Sequence, residues 1–140
     1  MIRISRNPEV VRQFEASTLF SLKANAIAVI NKAVGRARLA YITDIAGQEA
    51  IYAEKAAEAK AYVALIFPPA NLANFPMLAA EIGITAPDAA QLAQVWLNMQ
   101  AQLRIVGAQS EQMRLGAINL INAALSQSEI DQILEEFPLK

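Results

Sequence analysis

The sequence predicts an all-α protein in which long antiparallel helices form an elongated helical bundle or a coiled-coil-like assembly, with short extra helices. Alanine makes up about a fifth of the chain, and it is the residue that favours helix most. Apolar residues recur in steps of three and four through two long stretches. No pair of alternating apolar stretches flanks a hairpin turn. Because 140 residues fit one domain, we predict a single helical domain over residues 1–140.

The first long helix is predicted over residues 8–44, after an N-terminal arm of residues 1–7. Asn7 is a suitable N-cap and Pro8 a suitable first residue. An apolar row recurs every seven residues along this stretch: Phe20, Ile27, Val34 and Tyr41. A row of this kind needs a partner helix. The same helix carries a basic face: Lys32, Arg36 and Arg38.

A second helix is predicted over residues 48–65. The β-branched residues before Gly47 lower helix propensity, and Gly47 suits a left-handed stop of the first helix. We therefore expect a hairpin corner at this position. Lys55 and Glu58 have the spacing of an i,i+3 ion pair on the second helix.

Residues 66–84 are predicted to form a proline-rich connection with one short helix. The stretch "FPPANLANFP" contains three prolines, which exclude a continuous helix. Pro76 is expected to open the short helix and Gly83 to close it. The stretch could be a peptide ligand for an aromatic groove, but without a P-x-x-P core a rigid connection is the simpler interpretation.

The strongest pattern lies in a second long helix, predicted over residues 86–125. Thr85 is expected to cap this helix, with Asp88 as the acidic third residue. Its apolar row alternates in steps of three and four, as in a coiled coil, and contains one polar residue. The row consists of Trp96, Met99, Leu103, Val106, Ser110, Met113, Ala117, Leu120 and Ala124.

A short C-terminal helix is predicted over residues 127–137, because Ser126 and Glu129 have capping-box spacing.

Charge is distributed unevenly between the two ends of the chain. Residues 1–40 carry a net charge of +5 and the remainder carries −6. One interpretation is ordinary solvated faces. The other is that the basic first helix meets an acidic surface in the same or a neighbouring subunit, and the tail offers Glu129, Asp131, Glu135 and Glu136.

Missing residue types narrow the possible chemistry. The chain has no cysteine, which excludes a disulfide framework, a thiolate nucleophile and a cysteine-based zinc site. It has no histidine, and so lacks the usual general base and the commonest transition-metal ligand. Lys23 and Lys32 interrupt the early apolar stretch well before bilayer length. We predict no cofactor, no metal and no membrane-spanning segment, and a soluble location.

Three further groups bear on catalysis or ligand binding. Glu54 and Glu58 form an acidic pair, which we interpret as a solvated face because a di-iron bundle also needs Glu-x-x-His. Nucleic-acid binding by the basic face is disfavoured by the sequence pI near 5.5. Trp96, Met99 and Met113 could line a ligand pocket, although such a stripe is typical of a core or a subunit interface. We predict no catalytic residue and a protein that is not an enzyme.

The apolar rows are longer than one small chain can cover, which predicts a homo-oligomer or a partner protein. The predicted interface residues are Phe20, Ile27, Val34, Tyr41, Trp96, Met99, Leu103, Val106, Met113 and Leu120.

Three stretches within residues 33–125 carry a resemblance to a known family. They are "GRARLAYITDIAGQEAIYAEKAAEAKAY", "NFPMLAAEIGITAPDAAQLAQVWLNM" and residues 113–117. The residues that carry it are Arg38, Tyr41, Gly47, Gln48, Tyr52, Lys55, Glu58, Pro76, Leu78, Gly83 and Arg114. In these stretches the chain resembles small helical tail-fibre-associated and tail-fibre assembly proteins of bacteriophages and prophages. The first thirty residues lie outside the match.

The resemblance implies a non-enzymatic role near the distal end of a phage tail, with tail-fibre or baseplate proteins as partners. Such a protein would be assembled in the host cytoplasm and located in the virion. One form of this role is a structural adaptor that links tail fibre and baseplate. A second is an assembly chaperone that is absent from the mature particle. A free-standing helical binding module or regulator is the alternative outside the virion.

Overall fold

The computed structural model describes residues 7–140 and confirms the all-α class. Its five helices are α1 (Pro8–Arg38), α2 (Gln48–Val63), α3 (Pro76–Glu81), α4 (Ala89–Ala123) and α5 (Gln127–Glu136). These described residues contain no strand, and Ile82 and Ala86 form one isolated bridge. Of the predicted N-terminal arm, residues 1–6 lie outside the part of the chain that the structure describes.

The chain divides into two compact units, each with a core of its own, where the sequence predicted one domain. Of the described residues, unit 1 consists of 7–40 together with Gln109–Lys140. Unit 2 consists of Tyr41–Ala108. Helix α4 contributes its first part to unit 2 and its last part to unit 1.

Helix α1 begins as predicted and ends early. The Asn7 side chain accepts a hydrogen bond from the Glu9 N–H at 2.9 Å, and Pro8 is the first helical residue. The helix ends at Arg38 instead of residue 44. Tyr41, Ile42 and Thr43 follow outside the helix, since side chains of this kind lower helix propensity.

The connection from α1 to α2 contains the predicted left-handed glycine in a different role. Gly47 has φ +82°, but it directly precedes α2 and does not stop α1, which has already ended. The Tyr52 hydroxyl accepts a hydrogen bond from the Thr43 N–H at 3.3 Å and donates one to Thr43 Oγ1 at 3.2 Å. These bonds attach the connection to the first turns of α2.

The core of unit 1 is built from α1, the last part of α4 and α5. Ile30 and Ile121 are fully buried at its centre. The buried members of this core are Ala26, Ile30, Ala33, Val34, Ala117, Ile121, Ala124, Ile130 and Phe137. Many of them are alanines, which let the helices approach closely but contribute little apolar area each.

Helix α5 begins with the predicted capping box, in a slightly altered form. Ser126 Oγ accepts a hydrogen bond from the Glu129 N–H at 3.2 Å. The Glu129 carboxylate in turn accepts one from the N–H of Leu125 at 2.7 Å, one residue before the cap. The first bond satisfies a backbone donor that the helix itself leaves free, and the second holds the residue before the cap.

The core of unit 2 is built from α2, α3, the turn after α3 and the first part of α4. Its buried members are Ala59, Phe75, Leu78, Ala86, Leu92, Ala93 and Trp96. Tyr62 and Phe75 pack edge to face, with ring centroids 5.6 Å apart. This geometry places the positive edge of one ring against the negative face of the other.

Two sequence predictions about unit 2 are wrong. Thr85 does not cap α4: its hydroxyl bonds to Glu81, and the Asp88 carboxylate accepts the Gln91 N–H at 2.8 Å at the start of the helix. The expected pair of Lys55 and Glu58 is also absent from the described residues, because each side chain has a partner in a later element. Glu58 accepts from the N–H groups of Met77 and Leu78, both at 2.9 Å.

The Glu58 carboxylate thus caps α3 from a neighbouring helix. Replacing Glu58 by glutamine is expected to lower the free energy of unfolding by about 1–3 kcal/mol, because one amide oxygen replaces two charged acceptors. Equilibrium unfolding in urea measures this loss. Glu54→Gln, an exposed change one turn earlier on α2, is the matched control. Equal effects of the two substitutions would contradict a capping role.

Candidate functional site

A pocket of about 420 Å³ lies in unit 2, beside the N-terminal half of α2 and the first part of α4. We call it the Trp96 pocket. Its lining residues are Gln48, Tyr52, Ala53, Lys55, Glu81, Thr85, Trp96, Met99, Gln100 and Leu103. The volume lies within the range of about 300–1,000 Å³ that is usual for ligand pockets in proteins.

One wall of the Trp96 pocket is polar. The Lys55 ammonium donates a hydrogen bond to Glu81 Oε1 and lies 5.3 Å from the centre of the Trp96 ring. Thr85 Oγ1 donates to the other Glu81 oxygen at 3.0 Å. The side chains of Lys55 and Glu81 are only 17% and 24% exposed, so this ion pair is partly shielded from water.

The polar wall carries no net charge at neutral pH. Burial raises the pKa of the Glu81 carboxyl, but hydrogen bonds from Lys55 and Thr85 outweigh it and lower the pKa below its ordinary value. Glu81 is therefore ionised and neutralises Lys55. A charged ligand would have to break this pair, whereas an uncharged ligand would leave it intact.

The rest of the Trp96 pocket is mostly apolar. Trp96 is buried in the core of unit 2, and Met99 and Leu103 continue the apolar surface along α4. Gln48 and Gln100 add amide groups that can donate and accept hydrogen bonds. This arrangement suits an uncharged, largely apolar group that carries backbone-like carbonyl or N–H groups.

The structure places the predicted interface residues of the first helix in different environments. Val34 is buried in the core of unit 1, and Ile27 packs against that core. Phe20 is exposed on α1, and Tyr41 is exposed beyond the end of the helix. Two of the four residues in this row therefore belong to or pack against the core, and the other two are exposed.

The predicted interface residues of α4 divide in a similar way. Trp96, Met99 and Leu103 belong to the Trp96 pocket of unit 2, and Val106 is half-buried. Met113 and Leu120 lie at the surface of unit 1, where they line a shallow hollow beside the end of α5.

The predicted basic face contains two exposed residues and one engaged residue. Lys32 and Arg36 are exposed. Arg38 donates to Ser110 Oγ and to the Glu111 carboxylate, both at 2.9 Å. Arg114 binds the same carboxylate, at 3.0 Å from its Nε. Helix α1 packs against α5 in the core of unit 1, but among residues 7–140 no ion pair joins α1 to the acidic tail. Charge pairing between the two in a neighbouring subunit stays a prediction.

Glu111 is held between two guanidinium groups. Hydrogen bonds from Arg114 and then from Arg38 lower the pKa of its carboxyl from 4.5 to about 2. Because the folded state favours the ionised form, this stabilisation is complete above pH 4.5 and is lost as the pH falls toward 2. The group is solvent-exposed, so added salt weakens the effect.

We expect this titration to appear in the acid stability of the Glu111→Gln variant. The wild type should have the higher Tm at neutral pH, and the difference should shrink as the pH falls through the interval below 4.5. Thermal unfolding followed by circular dichroism measures both values. Gln112→Ala, an exposed change at a neighbouring residue that does not titrate, should show no such pH-dependent difference. A constant difference at all pH values would exclude ionised Glu111 as its source.

Two ion pairs, one in each unit, were missed by sequence reasoning. Lys55 meets Glu81, and Arg38 meets Glu111, across long intervals of chain. No local spacing signals such pairs.

Among the described residues, no group of three or more metal-ligating side chains is close enough to hold a metal ion. Within the same residues, no helix is both long and apolar enough to cross a membrane.

Comparisons with protein-family models, with curated proteins and with solved structures returned no match to this chain.

Proposed function

We propose that this protein is a non-enzymatic component of a phage tail, a structural adaptor that links tail fibre and baseplate. The phage setting comes from the sequence resemblance in residues 33–125. The observation that supports an adaptor is that each of the two units presents large apolar side chains to solvent, which supplies two separate docking surfaces. An adaptor needs one surface for each partner.

The docking surface of unit 1 includes Phe14, Phe20 and Leu125, all strongly exposed. Phe14 and Leu125 border a shallow hollow of about 480 Å³. Exposed apolar groups that border a hollow are typical of protein–protein contact sites, where aromatic side chains supply much of the binding energy.

Unit 2 also presents large apolar side chains that are strongly exposed, among them Ile66, Phe67 and Ile84. The Trp96 pocket lies in the same unit. Two apolar surfaces on separately packed units favour a protein that holds two other proteins together over one that acts on a small substrate.

A test is quantitative mass spectrometry of purified phage particles. We expect the protein at a fixed molar ratio to fibre or baseplate subunits, and located in the virion tail after assembly in the host cytoplasm. Particles made with the Phe20→Ser variant should contain less of it, whereas Lys32→Ser on the same helix should have little effect.

Two other outcomes would contradict the adaptor. If the protein is abundant in infected cells but absent from particles, and fibres fail to assemble without it, it is an assembly chaperone. If tail assembly does not depend on it at all, a free-standing helical binding module or regulator takes the place of both phage roles. Turnover in a broad activity screen would overturn the non-enzymatic assignment.

A further inference from the structure

The chain presents an exposed apolar segment at the end of α2, which we call the 66–69 segment. Ile66 is 89% exposed and Phe67 is 79% exposed, and Pro68 and Pro69 follow directly. Two consecutive prolines restrict the backbone, so the segment loses little conformational freedom when it binds. It is thus prepared for contact with an aromatic-lined surface.

The Trp96 pocket has the complementary properties. It is lined by Trp96, Met99 and Leu103 and carries glutamine amides that could bond the carbonyls of an extended chain. Its two charged lining residues neutralise each other. The 66–69 segment lies in a stretch of the sequence, residues 61–80, that contains no charged residue. An uncharged segment therefore matches an electrically neutral pocket.

In the structure a chain does not place its own 66–69 segment in its own Trp96 pocket, since Ile66 and Phe67 are exposed and no residue of the segment lines the pocket. Lys55 lines the pocket, whereas the segment follows the opposite, C-terminal end of the helix at Val63. The helix rises about 12 Å between Lys55 and Val63 at 1.5 Å per residue. A segment donated by another molecule would fill the pocket while this arrangement of the chain stays unchanged.

We propose that the 66–69 segment of one copy binds in the Trp96 pocket of a second copy. Because the two surfaces differ, the contact is head-to-tail and can add further copies until a ring closes or a filament grows. This inference pairs the row residues Trp96, Met99 and Leu103 with the 66–69 segment, a contact that heptad spacing does not predict, and it does not depend on a location in a phage tail.

The contact is small. A four-residue segment buries much less than the roughly 1,000 Å² that a stable isolated interface needs. We therefore expect weak association that depends on protein concentration, and that tightens when several copies are held on one scaffold.

The first test uses a synthetic peptide of residues 63–72. Trp96 is the single tryptophan of the chain, so its fluorescence reports directly on the pocket. The peptide should change this fluorescence in a saturable way, up to millimolar concentration. A control peptide with serine at the positions of Ile66 and Phe67 keeps both prolines and should bind at least about tenfold more weakly, since it lacks the apolar anchors. Equal binding of both peptides would mean that the pocket accepts any proline-rich chain, which overturns the proposal.

The second test uses two variants of the full chain in analytical ultracentrifugation. Phe67→Ser removes the anchor, and Met99→Arg places a charge in the pocket at a partly exposed position. Each variant alone should be monomeric where the wild type associates, and an equimolar mixture should form dimers that do not grow further.

Circular dichroism tests whether both variants fold. If Met99→Arg does not fold, the peptide titration on the wild type still tests binding to the pocket. Leu125→Ser, a change at an 82% exposed apolar side chain of unit 1, should associate like the wild type. A wild type that stays monomeric at millimolar concentration, or that associates equally after Phe67→Ser, would overturn the second copy as the occupant.

Discussion

Replacing Leu92 by alanine is expected to lower the free energy of unfolding by about 2–5 kcal/mol. Leu92 is fully buried in the core of unit 2, and the truncation removes apolar contacts and leaves a cavity. This is a large fraction of the roughly 5–15 kcal/mol that stabilises a typical domain. The small cluster around it offers few side chains that could move in to fill the space.

Urea unfolding of Leu92→Ala, followed by circular dichroism, measures the loss. Leu125→Ala is the matched control, because it makes the same truncation at a side chain that is 82% exposed. It should change the free energy by less than about 0.5 kcal/mol. If the two variants unfold at the same urea concentration, the core of unit 2 is not packed as described.

Replacing Ile30 by alanine in unit 1 should lower the free energy of unfolding by a similar amount, about 2–5 kcal/mol. Ile30 is fully buried where α1 meets the rest of this unit. The neighbouring core positions include Ala26, Ala33 and Ala117, whose short side chains cannot extend into the space that Ile30 leaves. The cavity should therefore remain largely open.

Val29→Ala is the control for this prediction, since Val29 is the adjacent residue of α1 and its side chain is 54% exposed. Thermal and urea unfolding of the two variants should separate them clearly. An unfolding curve of Ile30→Ala that coincides with that of Val29→Ala would contradict a core role for this face of α1.

Local signals in the sequence were enough to predict the helices and several of their ends. Asn7 with Pro8, and Ser126 with Glu129, act within a few residues of chain, so their spacing alone predicts the caps. Gly83 was expected to close α3, and it follows that helix with φ +83°. The all-α class follows from the same kind of local information.

Local spacing did not predict which side of each apolar row is buried in a core. One half of the α4 row is largely buried and includes Trp96, Ser110 and Ala117. The other half is partly exposed and includes Met99, Met113 and Leu120. A coiled coil would cover both halves of the row. Each unit covers only a narrow stripe of α4, and heptad spacing does not say which half of a row the core uses.

Pairings between side chains that are distant in the sequence could not be predicted, for a related reason. Lys55 has Glu58 within reach on its own helix, yet it binds Glu81, while Glu58 serves the backbone of α3. Both outcomes depend on how α2 and α3 pack in three dimensions. The Trp96 pocket, which needs this packing, could be anticipated only as a set of aromatic and methionine residues.

The capping of α3 by Glu58 links the hydrogen exchange of two helices. A helix of six residues has little stability on its own, so α3 depends on the groups that hold its first turn. The amide hydrogens of Met77 and Leu78 lie against a carboxylate of α2. They are shielded from exchange with solvent deuterium for as long as both hydrogen bonds to Glu58 stay formed. The exchange rates of these two amides in α3 therefore report the opening of the contact between the two helices.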